Sequence, residues 1–149
     1  VFGAGCQLAL GADIRIAGPD TKIAVMELKW GIVPDMGGMV LLPKLVAPDV
    51  MRKLTYTATP VLADQALAWG LVTELADDPL AAAMELATEI AGRSPSAIRA
   101  AKRLMTLSDT ASDTEILLAE SQEQAALVGT PEQMEVVAAT LQKRPAVFK

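Results

Sequence analysis

The segment from Gly3 to Leu8, followed by the run from Leu8 to Asp13, which predicts a helix, constrains the fold more than any other feature of this chain. Glycine lets the backbone turn tightly and leaves its N–H groups uncovered. The run after it has no polar stripe, which predicts a buried helix over residues 4–12. The first amides of such a helix have no intrahelical partner and lie at the positive end of its dipole. The segment is therefore expected to stabilise negative charge on an oxygen, either of a phosphate or of a developing oxyanion.

Two carboxylates follow on irregular backbone. Glu27 comes at the loop side of a short predicted strand, and Asp35 comes in the run from Gly31 to Gly38, where glycines and a proline interrupt any regular pattern. Taken singly, Glu27 is expected at a solvated strand end, and Asp35 is expected to cap a helix that begins near residue 35 or 36. Taken in order after the glycine segment, the two acids indicate proton chemistry beside a stabilised enolate.

Composition excludes several kinds of function. The 149 residues contain no histidine and one cysteine, which removes Ser-His triads, imidazole catalysis, most zinc sites and an internal disulfide. We therefore predict no metal site, and we expect Cys6 to be a small buried side chain. The net charge of −5 argues against a nucleic-acid partner, and no apolar run is long enough to span a membrane. The single cysteine fits a reducing compartment, so the expected location is cytoplasmic.

The sequence patterns divide the chain into an α/β part, residues 1–78, and a helical part, residues 79–149. The predicted strands cover residues 13–17, 22–25 and 71–75. The predicted helices after the first cover residues 35–46 (with Pro43 breaking or kinking the helix), 48–57, 63–69 closed by Gly70, and 79–91. Later helix starts are marked by Ser94-Pro95 and by capping boxes at Ser112/Glu115 and Thr130/Gln133. We expect the apolar faces of the helical part to cover the first part or another subunit.

Four segments, in chain order, together resemble the crotonase (enoyl-CoA hydratase/isomerase) superfamily. They are Gly3 to Arg15, Glu27 to Val46 with its Gly-Ile-Val-Pro-Asp-Met-Gly-Gly core, Ala63 to Val72, and Lys143 to Lys149. A dinucleotide-binding loop also begins Gly-x-Gly, but here Leu8 takes the third glycine position and no strand precedes the loop. The resemblance implies an α/β fold, a crotonase-like ββα spiral followed by a helical trimerisation region. It also implies that this chain corresponds to the second half of a usual member.

The resemblance implies a CoA thioester as substrate and no cofactor, because CoA is part of the substrate. In the family, two backbone N–H groups hold the thioester oxygen while an enolate-like state forms. Ala4 matches one donor, and its partner would come from the half that is not present here. Removing one such donor costs on the order of 3–4 kcal/mol of transition-state stabilisation, so this chain alone is expected to be nearly inactive. A homotrimer or a dimer of trimers is also implied.

The same resemblance assigns site residues. Ala4, Glu27 and Asp35 are the predicted catalytic residues. The predicted substrate-binding residues are Gly3, Gln7, Gly38, Phe148 and Lys149.

Position 7 discriminates between reactions. Family hydratases use two glutamates, of which the second matches Glu27 and the first matches Gln7, whose amide can hold a water but cannot take its proton. Asp35 matches an acid of the dienoyl-CoA isomerases and of related ring-epoxide isomerases. The dienoyl isomerases carry an acid where Gln7 stands, and the hydratases usually have proline where Met26 stands, so both matches are incomplete.

The favoured prediction is double-bond isomerisation by Glu27 and Asp35, with Gln7 positioning the substrate or a water. Hydration by Glu27 alone is one alternative. A non-catalytic assembly module with a crotonase fold is another, and in that case the helical part would be the functional element.

Overall fold

The structure, a computed structural model, describes residues 1–148. It divides them into two compact units, residues 1–84 and the residues from 85 onward. The division falls inside one helix, a few residues after the boundary predicted at residue 78.

The first unit carries four strands, five α-helices (the last of which continues into the second unit) and a 3₁₀ helix. In chain order these are α1 Ala4–Leu10, β1 Ile16–Ala17, β2 Lys22–Ile23, the 3₁₀ helix Glu27–Trp30, α2 Gly38–Leu45, α3 Pro48–Thr57, β3 Val61–Leu62, α4 Ala63–Trp69, β4 Glu74–Leu75 and α5 Pro79–Ala91. Strand β1 pairs in parallel with β4, and β2 pairs antiparallel with β3. An isolated parallel bridge joins Phe2 to Ala24. The three predicted strands are present, but each is shorter than its sequence pattern.

Apolar side chains of these elements form one core. It includes Cys6, Leu10, Ile23, Val25, Leu42, Leu54 and Leu71. Each fully buried leucine contributes roughly 1.5–3 kcal/mol to folding, so this cluster holds α1 against α2. Burial raises the pKa of the Cys6 thiol to about 11, as expected for a small packed side chain. Trp69 packs on the edge of the core, and Lys53 Nζ lies 5.3 Å from the centroid of its ring.

The turn after α4 requires glycine. Gly70 has a φ of 84°, in the left-handed region, and it closes the helix as the sequence predicts. A Cβ at this position would lie 2.6 Å from the carbonyl oxygen of Leu45. Arg15 holds the same turn from the other side, because its Nε donates to the Leu71 carbonyl at 2.7 Å. The ends of α2 and α4 can therefore approach each other only without a side chain at Gly70.

The structure corrects two predictions about α2. The helix begins at Gly38 with Gly37 as its N-cap, so Asp35 does not cap it. The Gly38 N–H is accepted by the side-chain oxygen of Gln7 at 3.0 Å, so α1 supplies the missing cap. The helix also continues through Pro43 and ends at Leu45, so the predicted break does not occur, while the alternative of a kink stays a prediction. A proline this close to the end of a helix removes one hydrogen bond without preventing the last turn.

The second unit consists of helices in the part that the structure describes. After the end of α5 come α6 Pro95–Ser108, α7 Asp113–Leu127 and α8 Pro131–Leu141. The predicted capping box at Ser112 forms completely. At Thr130 only half of it forms, because the Gln133 side chain accepts from the Gly129 N–H instead. Among residues 1–148, no helix is long and apolar enough to cross a membrane.

Glu135 of α8 holds the segment that follows the helix. Its Oε2 accepts from Arg144 Nη2 at 3.0 Å, and its Oε1 accepts from the Val147 N–H at 2.9 Å. The hydrogen bonds from Arg144, and then the one from Val147, lower the pKa of Glu135 to about 2. This carboxylate therefore links the helix to the residues just before Phe148.

We expect acid to release this segment. A carboxylate whose pKa is lower in the folded state stabilises that state above its unfolded pKa, and this contribution is lost as the pH falls from 4.5 towards about 2. The protection factor of the Val147 amide, measured by NMR hydrogen exchange, should fall across this window. Glu135→Gln should lower it already at pH 7. Glu89→Gln, which removes an ion pair with Arg93, should leave it unchanged. Constant Val147 protection down to pH 2.5 would contradict this expectation.

Candidate active site

The start of α1 presents a free backbone donor. The Gly3 N–H donates to the Ala24 carbonyl at 3.0 Å, and the Gly5 N–H donates to the Phe2 carbonyl at 3.1 Å. Between them, the Ala4 N–H has no acceptor among the described residues. Gly3 has a φ of 53°, which favours glycine at this bend. One amide at the positive end of the helix is thus available to an oxygen outside the protein.

This helix start borders a cavity of about 470 Å³. The cavity is lined by Phe2, Gly3, Ala4, Met26, Glu27, Lys29, Trp30, Ile32 and Asp35. The three residues predicted to be catalytic, Ala4, Glu27 and Asp35, therefore border the same space. They reach it from three separate segments, namely α1, the 3₁₀ helix and the loop before α2.

Glu27 is buried but keeps one carboxylate oxygen free. The residue is 6% exposed, in contrast to the solvated strand end that its sequence position alone suggests. Its Oε1 accepts from Gln7 Nε2 at 2.6 Å. Its Oε2 has no partner, a property that it shares with only Thr55 Oγ1 among the buried side-chain atoms of the described residues. An unpartnered buried oxygen is costly, and here it belongs to a residue that lines the cavity.

Asp35, unlike Glu27, is not buried. Its residue is exposed, after the buried Pro34, and it lines the cavity beside Glu27. Glu27 and Asp35 are therefore two carboxylates in different environments, one buried and one exposed to water, which suits two different steps of proton transfer. Among the described residues, no group of three or more acidic, cysteine or histidine side chains is placed to hold a metal ion.

Gln7 and Gly38, both predicted to bind substrate, lie behind the cavity and not in its lining. Gln7 is 1% exposed, and the Met36 and Gly38 N–H groups donate to its Oε1 at 2.9 and 3.0 Å. A Cβ on Gly38 would lie 2.9 Å from that oxygen. Both residues therefore contact protein groups that support the cavity wall.

The other predicted binding residues have different placements. Gly3 lines the cavity, where a Cβ would come 3.5 Å from Glu27 Oε1. Phe148 lies in the second unit and is half-buried. Lys149 lies outside the described residues, so its role stays a prediction.

Sequence reasoning missed five cavity residues, namely Phe2, Met26, Lys29, Trp30 and Ile32. The irregular backbone predicted from Trp30 to Asp35 is present after Trp30, whereas Trp30 itself ends a 3₁₀ helix that begins at Glu27. In a 3₁₀ helix, residues three apart eclipse, so Glu27 and Trp30 share a face. Trp30 is 71% exposed, and Lys29 Nζ lies 5.4 Å from the centroid of its ring. The signal in the sequence that could have identified Trp30 is its position three residues after Glu27.

Comparisons with known proteins agree with this fold. Residues 1–149 match the sequence profile described as "Enoyl-CoA hydratase/isomerase". The chain superposes on the enoyl-CoA hydratase from Bacillus anthracis with a TM-score of 0.94 and 28% identity, covering all of this chain and 58% of that one. It superposes on DspI from Pseudomonas aeruginosa with a TM-score of 0.93 and 32% identity, with the same coverage. The chain therefore belongs to the enoyl-CoA hydratase/isomerase family and has the crotonase fold.

Carnitinyl-CoA dehydratase from Salmonella typhi is 37% identical to this chain over 105 residues. That match includes 69% of this chain and 40% of the dehydratase. The chain thus spans well under two thirds of the length of the relatives that it matches.

Proposed function

We propose that this chain forms the part of an acyl-CoA active site that stabilises a thioester enolate and moves a proton along the acyl chain. The observation that supports this most is the convergence of Ala4, Glu27 and Asp35 on one cavity. The free Ala4 amide and the unpartnered Glu27 oxygen are the two groups that such a reaction needs at the same place. Family membership supports the CoA thioester as substrate.

The favoured reaction is a shift of a carbon–carbon double bond. With the thioester carbonyl at the Ala4 N–H, charge developing on its oxygen meets a donor and the positive end of α1. Glu27, through Oε2, takes a proton from a carbon of the acyl chain, and the C–H electron pair moves towards the thioester oxygen. As that electron pair returns, protonated Asp35 gives a proton to another carbon of the conjugated system. No atom is gained or lost, and exchange with water restores both acids.

A second candidate is addition or removal of water at the double bond. The similarity to a protein named carnitinyl-CoA dehydratase favours it. In this reaction Glu27 alone would activate the water, because the side chain of Gln7 is occupied by three protein groups. Asp35 would not take part in the proton transfer.

An assay of the full-length protein with 3,5-dienoyl-CoA and with 2-enoyl-CoA separates the two. We expect conversion of 3,5-dienoyl-CoA to the conjugated 2,4-dienoyl isomer, and Asp35→Asn should lower that rate by roughly 10²-fold, because proton transfer by a placed acid contributes at least this much. Asp64→Asn, an exposed acid of α4 outside the cavity, is the matched control. Rapid hydration of 2-enoyl-CoA that is unchanged in Asp35→Asn would reject the isomerase. Absence of binding by any CoA thioester would favour the assembly module.

We further propose that the protein assembles as a homotrimer or a pair of trimers, works in the cytoplasm and needs no cofactor beyond the CoA of its substrate. Exposed apolar side chains on the helices of the second unit support assembly. They include Met105, Leu117 and Leu141, with exposures of 64%, 62% and 79%.

A further inference from the structure

We propose that Gln7 is a positioning residue that orients both carboxylates of the site, and that it does not bind substrate or water. The catalytic part of this inference rests on the proposed function. The structural part rests on three hydrogen bonds of one buried side chain, which join α1 to the 3₁₀ helix and to the loop before α2.

The direction of the Gln7 amide is determined by its neighbours. The Met36 and Gly38 N–H groups both point at one terminal atom of Gln7, at 2.9 and 3.0 Å. Only an oxygen can accept from two donors, so this atom is Oε1 and the NH₂ group faces Glu27. A flipped amide would set donors against donors. Gln7 therefore donates to Glu27 Oε1, at 2.6 Å.

This hydrogen bond determines which carboxylate oxygen of Glu27 is available for proton transfer. Oε1 is occupied by Gln7, and Oε2 is left without a partner. The Gln7 amide keeps this orientation because the Met36 and Gly38 N–H groups both donate to its Oε1, and the Glu27 that it contacts is itself only 6% exposed. The carboxylate is thus held in one orientation before any substrate arrives, which lowers the cost of reaching a reactive geometry.

The same amide fixes the backbone beside Asp35. The Met36 N–H belongs to the peptide unit that joins Asp35 to Met36, so its bond to Gln7 sets the plane of that unit. The Gly38 N–H is the first donor of α2, which has no side-chain cap of its own. The absence of a Cβ at Gly38 leaves the space that Gln7 fills. One side chain therefore holds both the carboxylate of Glu27 and the backbone that carries Asp35.

Two substitutions at Gln7 test this in the full-length protein. Gln7→Leu keeps the approximate size and removes all three bonds. We expect the protection factors of the Met36 and Gly38 amides to fall and kcat to fall by roughly 10²-fold, the cost of a small misplacement, while KM changes little. Gln7→Glu keeps an acceptor for both N–H groups, so their protection should stay. It also sets a carboxyl group against Glu27, so activity should then require a shared proton and should depend more steeply on pH. Gln65→Leu, on the exposed face of α4, is the control.

Two results for the variants would overturn the inference. A role in binding substrate would raise KM at constant kcat and leave Met36 and Gly38 protected in Gln7→Leu. A merely structural role would lower the melting temperature of both variants equally and leave the pH profile of Gln7→Glu like that of the wild type. Wild-type protein that converts no acyl-CoA would overturn the proposed function. The inference would then stand or fall on the protection of Met36 and Gly38 in Gln7→Leu.

Discussion

Glu27→Gln should lower turnover by roughly 10²- to 10⁴-fold, because it removes the only buried, unpartnered carboxylate oxygen among the described residues that line the cavity. The fold should tolerate the change. A glutamine has the same shape, and its oxygen can accept from Gln7 Nε2 as Glu27 Oε1 does at 2.6 Å. The loss should therefore appear in kcat of the full-length protein, with a nearly unchanged thermal unfolding midpoint.

A carboxylate remote from the cavity provides the comparison. Glu74 lies exposed on β4, and Glu74→Gln removes the same charge without touching the cavity lining. Its turnover should match the wild type. Wild-type turnover in Glu27→Gln as well would show that this carboxylate takes no proton in the reaction.

Gly70→Ala should lower the free energy of unfolding by about 2–5 kcal/mol. A left-handed backbone costs a residue with a Cβ roughly 1–2 kcal/mol, and forcing an extra methyl group into packed space costs roughly 1–3 kcal/mol more. At Gly70 both apply, because φ is 84° and the new Cβ would lie 2.6 Å from the Leu45 carbonyl oxygen. A backbone atom cannot move aside as a flexible side chain does. Urea unfolding monitored by circular dichroism would measure the change.

Gly31 separates the two contributions to this loss. It has a φ of 73° and nothing within 4 Å of the position that a Cβ would take. Gly31→Ala should therefore cost only the backbone contribution, roughly 1–2 kcal/mol. Equal losses in the two variants would mean that the close approach of α2 to α4 does not limit residue 70.

Local signals predicted the helices well. Proline at the first position marks the start of α3, glycine marks the end of α4, and both signals mark α5. The structure has these helices at Pro48–Thr57, Ala63–Trp69 and Pro79–Ala91. The order of the glycine segment, Glu27 and Asp35 predicted that they share a site, and the structure places all three on one cavity. Their catalytic roles remain predictions that the variants above test.

Contacts between residues that lie far apart along the chain could not be predicted from the sequence. The start of α2 depends on a side chain 31 positions earlier, since Gln7 accepts from Gly38. Strand β1 is short because it extends only over the residues that pair with the parallel strand β4, where Ile16 lies opposite Glu74. No local sequence pattern shows which residues find such a partner. Burial of Glu27 likewise results from contacts between distant segments, since Gln7 of α1 donates to it and its 3₁₀ helix packs against α3, which alternation along one strand does not reveal.

The two tryptophans have an optical consequence. Trp30 borders the cavity and is 71% exposed, whereas Trp69 is partly buried against the core. A soluble quencher such as iodide should therefore reach the first indole and largely spare the second. A molecule that fills the cavity would shield Trp30 and shift its emission to shorter wavelengths, while Trp69 continues to fluoresce as before. The emission of Trp30 thus reports whether the cavity is occupied, and the emission of Trp69 serves as an internal reference.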